Sequence, residues 1–105
     1  MAFTNIDADT LEQLRASGAR LVDVRTDAEV ARGVIPGASH IALDKLPVRF
    51  TELNQETPIV LYCQMGGRSA GAAQFLTSKG FERVYNLQGG INAWAAGGRP
   101  VGNLT

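Results

Sequence analysis

The chain has 105 residues, of which 45% are hydrophobic and 19% charged, with 10 Lys or Arg against 10 Asp or Glu. That size and composition predict one globular domain over residues 1–105 and argue against disorder, which needs fewer apolar residues and more net charge. The zero net charge predicts no nucleic-acid partner, because no basic excess is there to hold a polyanion.

The N-terminus, Met1-Ala2-Phe3-Thr4-Asn5-Ile6-Asp7, has neither the basic region nor the apolar run of a signal peptide. No window approaches the roughly 18 consecutive apolar residues of a membrane span. A cytoplasmic protein with no membrane partner is therefore expected. Leu11, Leu14 and the Asp9-x-x-Glu12 pair predict a first helix starting near Asp7 or Asp9, with a capping box at that pair and Gly18 as the stop. Leu21-Val22-Asp23-Val24 reads as a buried strand carrying one carboxylate. Thr26-Asp27-Ala28-Glu29 is a capping box that opens a helix ending at Gly33. Ile35-Pro36-Gly37-Ala38 is a turn, and His40-Ile41-Ala42-Leu43 a short strand.

Asp44 to Asn54 reads as a helical turn or two. Pro58-Ile59-Val60-Leu61-Tyr62 is the strongest strand signal, and it runs directly into the only cysteine, Cys63. Ser69 to Lys79 is a helix capped by Gly80, Arg83 to Leu87 a strand, and Gly89-Gly90 precedes a last short helix with Ile91 and Trp94. Strands separated by helices favour a parallel sheet with helices on both faces, where ligands bind at the carboxyl ends of the strands. Cys63 sits at such an end.

The segment that carries chemistry is Cys63-Gln64-Met65-Gly66-Gly67-Arg68-Ser69. A strand–loop–helix aims successive N–H groups into a concavity, and the helix N-terminus adds partial positive charge. A thiol placed there has a lowered pKa and is reactive. Gly66 and Gly67 permit the positive φ of a tight loop, Arg68 adds a fixed charge, and Ser69 is expected to cap the helix. A lone Cys at a strand end is most often a small buried hydrophobe. The Gly-Gly-Arg-Ser context reverses that reading. The lone cysteine excludes an intrachain disulfide and fits a reducing compartment. With His40 as the only histidine, the chain offers neither a protease-like Cys–His arrangement nor a recognisable zinc site.

Four fragments, taken in order, resemble the rhodanese family of sulfurtransferases. They are Leu21-Val22-Asp23-Val24-Arg25; Glu29 followed by Gly33-Val34-Ile35-Pro36-Gly37-Ala38; the Cys63–Ser69 loop as Cys-x-x-Gly-x-Arg-Ser; and Gly80-Phe81 with Val84-Tyr85-Asn86-Leu87, Gly89-Gly90-Ile91 and Ala93-Trp94. The resemblance implies a three-layer α/β fold with a central parallel sheet of about five strands. It implies Cys63 as the catalytic residue, carrying sulfur as a persulfide held by backbone N–H groups of residues 64 to 68. Gln64, Met65, Gly66, Gly67 and Arg68 are the substrate-binding residues, supported by Ser69, Asp23 and Arg25. No cofactor or metal is implied. The partners are a small sulfur donor such as thiosulfate and a cyanide or thiol acceptor, with a sulfur-accepting protein as an alternative. With one cysteine there is no internal resolving partner.

Four residues separate Cys63 from Arg68. Related phosphatases have a loop one residue longer, so the spacing favours sulfur over phosphate or arsenate. Many family members carry a His where this chain has Val34, and His40 does not take its place. Two rivals stay open: a cysteine phosphatase or arsenate reductase on the same fold, and a rhodanese-like binding module without catalysis, which a buried or inert Cys63 would favour. Arg68 either binds the donor or pairs with a buried carboxylate. Asp23 is expected to be structural, Arg25 ion-paired or on the surface, and Trp94 in the core. Gln64 and Met65 are expected at the exposed loop tip, and Phe50 with the Asp44–Asn54 segment in a pocket wall.

Overall fold

A computed structural model describes residues 2–103; Met1, Leu104 and Thr105, which the one-domain expectation also spans, lie outside the described residues. The elements in chain order are β1 (Thr4–Ile6), α1 (Ala8–Ala16), β2 (Arg20–Asp23), α2 (Asp27–Ala31), β3 (Ser39–His40), α3 (Leu46–Arg49), β4 (Ile59–Tyr62), α4 (Gly67–Ser78), β5 (Val84–Leu87) and α5 (Gly90–Ala96). Short 3-10 turns at Leu43–Lys45 and Phe50–Glu52 flank α3. The strands form one sheet in the order β1-β5-β4-β2-β3, and every pairing is parallel. This is the α/β architecture expected from the sequence.

β4 lies at the centre because it is the only strand whose four residues are all fully buried. A parallel strand covered on both faces needs an unbroken apolar run, and Ile59-Val60-Leu61-Tyr62 is one. Successive side chains alternate across the sheet. Ile59, Leu61 and Cys63 join Val22 and Val24 of the β2 segment in a core covered by Leu46 of α3 and by Ala72, Ala73 and Leu76 of α4. Val60 and Tyr62 point the other way, against Leu11 of α1 and Ile91 and Trp94 of α5. Helices therefore cover both faces, and Trp94 is a core residue, its indole N–H donating to the Pro100 carbonyl at 2.7 Å.

β1 is absent from the sequence reading. Only Ile6 of Thr4-Asn5-Ile6 is buried, so an edge strand this short leaves no apolar pattern to find. The expected strand His40–Leu43 shrinks to Ser39–His40, because Leu43 starts a 3-10 turn. α1 is capped by Asp7, whose carboxylate accepts from the Thr10 N–H at 2.9 Å. The Asp9–Glu12 capping box is not formed: Asp9 lies within the first turn and pairs with Arg99, and Glu12 pairs with Arg15. The Thr26–Glu29 capping box is present as expected. α4 ends in a Schellman motif, with Gly80 (φ +94°) donating to Thr77 and Phe81 to Leu76.

α1 and α5 cover one face of the sheet, α3 and α4 the other. The chain leaves β2 and β4 towards opposite ends of the sheet, β2 to β3 and β4 to β5. Right-handed crossovers then send the two connections to opposite faces. A crevice opens between the carboxyl ends of β2 and β4, and that is where ligands bind in such sheets. Leu61→Ala, at a fully buried position of β4, is expected to lower the unfolding free energy by about 2–5 kcal/mol, measured by urea denaturation.

Candidate active site

Cys63 follows the last residue of β4, and the chain turns at Gly66 into α4. Gly66 has φ +107°, and a Cβ there would stand 3.3 Å from the Gly89 nitrogen. Gly67 has no positive φ and begins the helix, so only one of the two glycines supplies left-handed backbone in this loop. Ser69 does not cap α4, since the cap position is Gly66; Ser69 lies in the first turn with its hydroxyl turned inward. Helix caps are read from a polar residue ahead of an apolar run, and here the helix begins two residues before Ser69.

The loop is held by α5. Ile91 N–H donates to the Cys63 carbonyl at 3.0 Å, and Asn92 N–H to the Gln64 carbonyl at 3.1 Å. Gly90 (φ +58°) makes this approach feasible: a Cβ there would lie 2.3 Å from the Cys63 oxygen and 2.6 Å from that of Gln64. Donors converge on the sulfur from the other side. Gly66 N–H reaches Sγ at 3.1 Å, and the Ser69 N–H and hydroxyl each at 3.4 Å. Burial pushes the thiol up, but donation from the Ser69 hydroxyl and from the Ser69, Gly66 and Met65 N–H groups outweighs it and holds Cys63 below its ordinary value. Cys63 is only 1% exposed.

Arg68 is committed to a carboxylate. Its two terminal nitrogens bind the two oxygens of Glu29 at 2.7 and 2.8 Å, a bidentate pair joining α4 to α2. The paired cation still acts on Cys63. The Arg68 bond, opposed by burial and helped by Thr26, holds Glu29 down to about 2. Beyond its place in a signature, Glu29 carried only a capping role in the sequence reading, because nothing local predicts a partner 39 residues away.

Arg25 is not a surface residue. It is 3% exposed and clamps Asp23 through Nε and a terminal nitrogen, with the Gly33 carbonyl at 2.7 Å as a further acceptor. Asp23 is thus the structural partner expected of it. The remaining Arg25 nitrogen donates to the Gln64 side chain at 3.2 Å, and the Gln64 amide donates onward to Asn92 at 2.5 Å. Gln64 is therefore half-buried and strapped between β2 and α5 rather than free at the loop tip. Met65 is 70% exposed, as expected.

Asn86 of β5 carried no role in the sequence reading beyond its place in a signature. It is buried, and its Oδ1 accepts from the Ser69 hydroxyl at 2.5 Å. A buried Asn within an apolar strand signals a satisfied polar contact, but not which one. Of the expected pocket wall, Asp44, Lys45 and Arg49 line a cavity, while Phe50 packs edge-to-face on Phe75 against the core. A cavity of about 380 Å³ beside the loop is lined by residues including Arg25, Glu29, Arg32, Gln64 and Asn92. A second of similar size lies between Val24, Arg25, Leu43, Asp44 and Arg68. Among the described residues, no three His, Cys, Asp or Glu side chains are grouped to hold a metal, and no helix is long and apolar enough to cross a membrane.

Residues 7–97 match the rhodanese-like domain family. The chain belongs to that family. A sulfurtransferase of Allochromatium vinosum is 42% identical over 98 residues, covering 91% of this chain and 92% of its own. The thiosulfate sulfurtransferase GlpE of Ectopseudomonas mendocina is 34% identical over 94 residues, covering 90% and 86%. Among solved structures, a rhodanese-related protein of Thermoplasma volcanium superposes with a TM-score of 0.86 at 28% identity, over 94% of this chain and 97% of that one. A Rhodopseudomonas palustris protein described as a possible tyrosine phosphatase gives 0.82 at 27% identity, over 94% and 84%. This rhodanese-like chain is thus a sulfurtransferase-family member with a single cysteine.

Gly90→Ala is expected to raise the Cys63 thiol pKa, because the added carbon pushes the loop carbonyls off α5. The left-handed backbone alone costs about 1–2 kcal/mol with a Cβ. Thiol titration and urea unfolding read the two effects. Glu29 ionises at its ordinary 4.5 when unfolded and at about 2 when folded. Its contribution is complete above pH 4.5 and is lost as pH falls towards 2. Over that window the wild type is expected to lose more thermal stability than Glu29→Gln, as followed by melting temperature against pH.

Proposed function

We propose that this chain moves sulfane sulfur from thiosulfate or a similar donor to a thiophilic acceptor, through a persulfide on Cys63. The observation that carries the reading is the convergence of the Gly66 and Ser69 N–H groups on one sulfur, with the Ser69 hydroxyl within reach of it. Donors so placed stabilise a thiolate without a histidine base. The thiolate attacks the outer sulfur of thiosulfate; the donor's S–S bond breaks and sulfite leaves with the electron pair. The new Cys63–S–S⁻ keeps its charge near the loop's N–H groups. Cyanide or a thiolate then attacks the outer sulfur, the Cys63–sulfur bond breaks, and the Cys63 thiolate is restored. With one cysteine in the chain the acceptor must come from outside, as a small thiol, cyanide or a partner protein.

Gln64 and the backbone of Gly66 and Gly67 shape the donor's approach, Met65 presents an apolar contact to the acceptor, and Arg68 lends charge while tied to Glu29. Ser69, Asp23 and Arg25 support the loop. Residues 1–105 act as one domain in the cytoplasm.

The 1% exposure of Cys63 favours a second reading, a binding module whose cysteine is inert. The phosphatase reading is disfavoured, because only four residues separate Cys63 from Arg68, one fewer than the loop with which related phosphatases enclose a phosphate.

Intact-protein mass spectrometry after thiosulfate treatment decides among these. The wild type is expected to gain the mass of one sulfur atom that cyanide removes, and Cys63→Ser to gain none. No adduct on a thiol that still alkylates would overturn thiosulfate as donor. No adduct and no alkylation would leave the binding module.

A further inference from the structure

The Ser69 hydroxyl has one proton and three acceptors in reach: Asn86 Oδ1 at 2.5 Å, the Gly66 carbonyl at 3.3 Å and Cys63 Sγ at 3.4 Å. Which of them receives it depends on Asn86. The Asn86 amide nitrogen donates to the Gly66 carbonyl at 3.3 Å and to Asn5 Oδ1 at 3.0 Å. The Gly66 carbonyl can only accept, so a flipped amide would set two oxygens against each other. Asn86 Oδ1 is thereby locked towards Ser69 as an acceptor and cannot become a donor.

With the Ser69 proton on Asn86, the Ser69 oxygen turns its lone pairs to Cys63. The thiol then completes a chain, S–H to Ser69 oxygen and Ser69 O–H to Asn86. Forming the thiolate reverses the middle link: Ser69 must turn its proton to the sulfur, and Asn86 Oδ1 is left unpaired at a site only 4% exposed. A buried acceptor without a partner is costly.

The geometry points to Asn86 as a positioning residue that holds Cys63 towards its thiol form by competing for the Ser69 proton. It acts through Ser69 and does not touch the sulfur. The other charges around Cys63 leave this role open. Arg68 of α4 acts on the sulfur but is paired with Glu29 of α2, and Asp23 and Arg25 after β2 are paired with each other. β4, β5 and α5 hold no Asp, Glu, Lys, Arg or His, and the tyrosines Tyr62 and Tyr85 lie on the opposite face of the sheet. The consequence for turnover rests on the persulfide reading above. Once ionised, a sulfur with a higher pKa attacks a donor better and leaves a persulfide less readily, so above the midpoint Asn86 biases the site towards loading.

The test is thiolate ultraviolet absorbance against pH, taken as the difference from Cys63→Ser, which needs no reagent to reach the buried sulfur. Asn86→Leu is expected to lower the midpoint by about one pH unit, the worth of one hydrogen bond. Ser69→Ala is expected to raise it, and adding Asn86→Leu to Ser69→Ala to move it no further. An unchanged or raised midpoint in Asn86→Leu, or the same fall in the Ser69→Ala background, overturns the proposal. If Asn86→Leu does not fold by circular dichroism, Asn86→Ala carries the same expectation and the same overturning results. In single turnover with thiosulfate and then cyanide, at a pH above both midpoints, Asn86→Leu is expected to load about threefold more slowly and discharge about threefold faster. A failure to load at all, with the midpoint shift intact, counts against the persulfide reading and not against Asn86.

Discussion

Two backbone hydrogen bonds, from Ile91 and Asn92 into the carbonyls of Cys63 and Gln64, decide what the loop can do. A peptide unit is planar and trans, so its C=O and N–H point in opposite directions. Turning the Gln64 carbonyl onto α5 turns the Met65 N–H towards the sulfur, and the Met65 N–H is among the groups that favour the thiolate. The cradle is therefore made by holding carbonyls out as much as by aiming donors in. Gly90 is the condition for it, since any side chain there would strike both carbonyls.

Around that constraint the polar groups of the crevice satisfy one another in series. Asp23 holds Arg25, Arg25 holds the Gly33 carbonyl and Gln64, and Gln64 holds Asn92. Among the described residues, no buried side-chain nitrogen or oxygen is without a partner. A buried ion pair is weak grounds for stability, because desolvation offsets most of its attraction. Its effect here is orientation: held by Asp23, the Arg25 guanidinium reaches Gln64 across the carboxyl ends of β2 and β4.

The sequence was most legible where one segment sets its own environment. The apolar run before Cys63 has to be a central strand, and Thr26-Asp27-Ala28-Glu29 can cap a helix with its own side chains. It was least legible where partners are distant in the chain. Glu29 with Arg68, Arg25 with Gln64 and Ser69 with Asn86 are all long-range pairings, and neither propensity nor periodicity carries them. β1 escaped because an edge strand with one buried residue has no pattern. Ser69 was misplaced as a cap because serine serves that role so commonly that its inward hydroxyl could not be told from a capping one. The resemblance to the rhodanese family located the loop but not the contacts that tune it.

The cradle is closed by the last helix of the sheet's second half, 28 residues after the loop it holds, counting from Gln64 to Asn92. A ribosome makes chains in one direction, so Cys63 emerges well before the groups that fix its surroundings. Until α5 arrives, the Cys63 and Gln64 carbonyls lack the N–H groups of Ile91 and Asn92 that hold them away from the sulfur. The finished cradle thus waits on α5, and a nascent chain stalled before Ile91 carries the nucleophile without the two bonds that hold its loop in place.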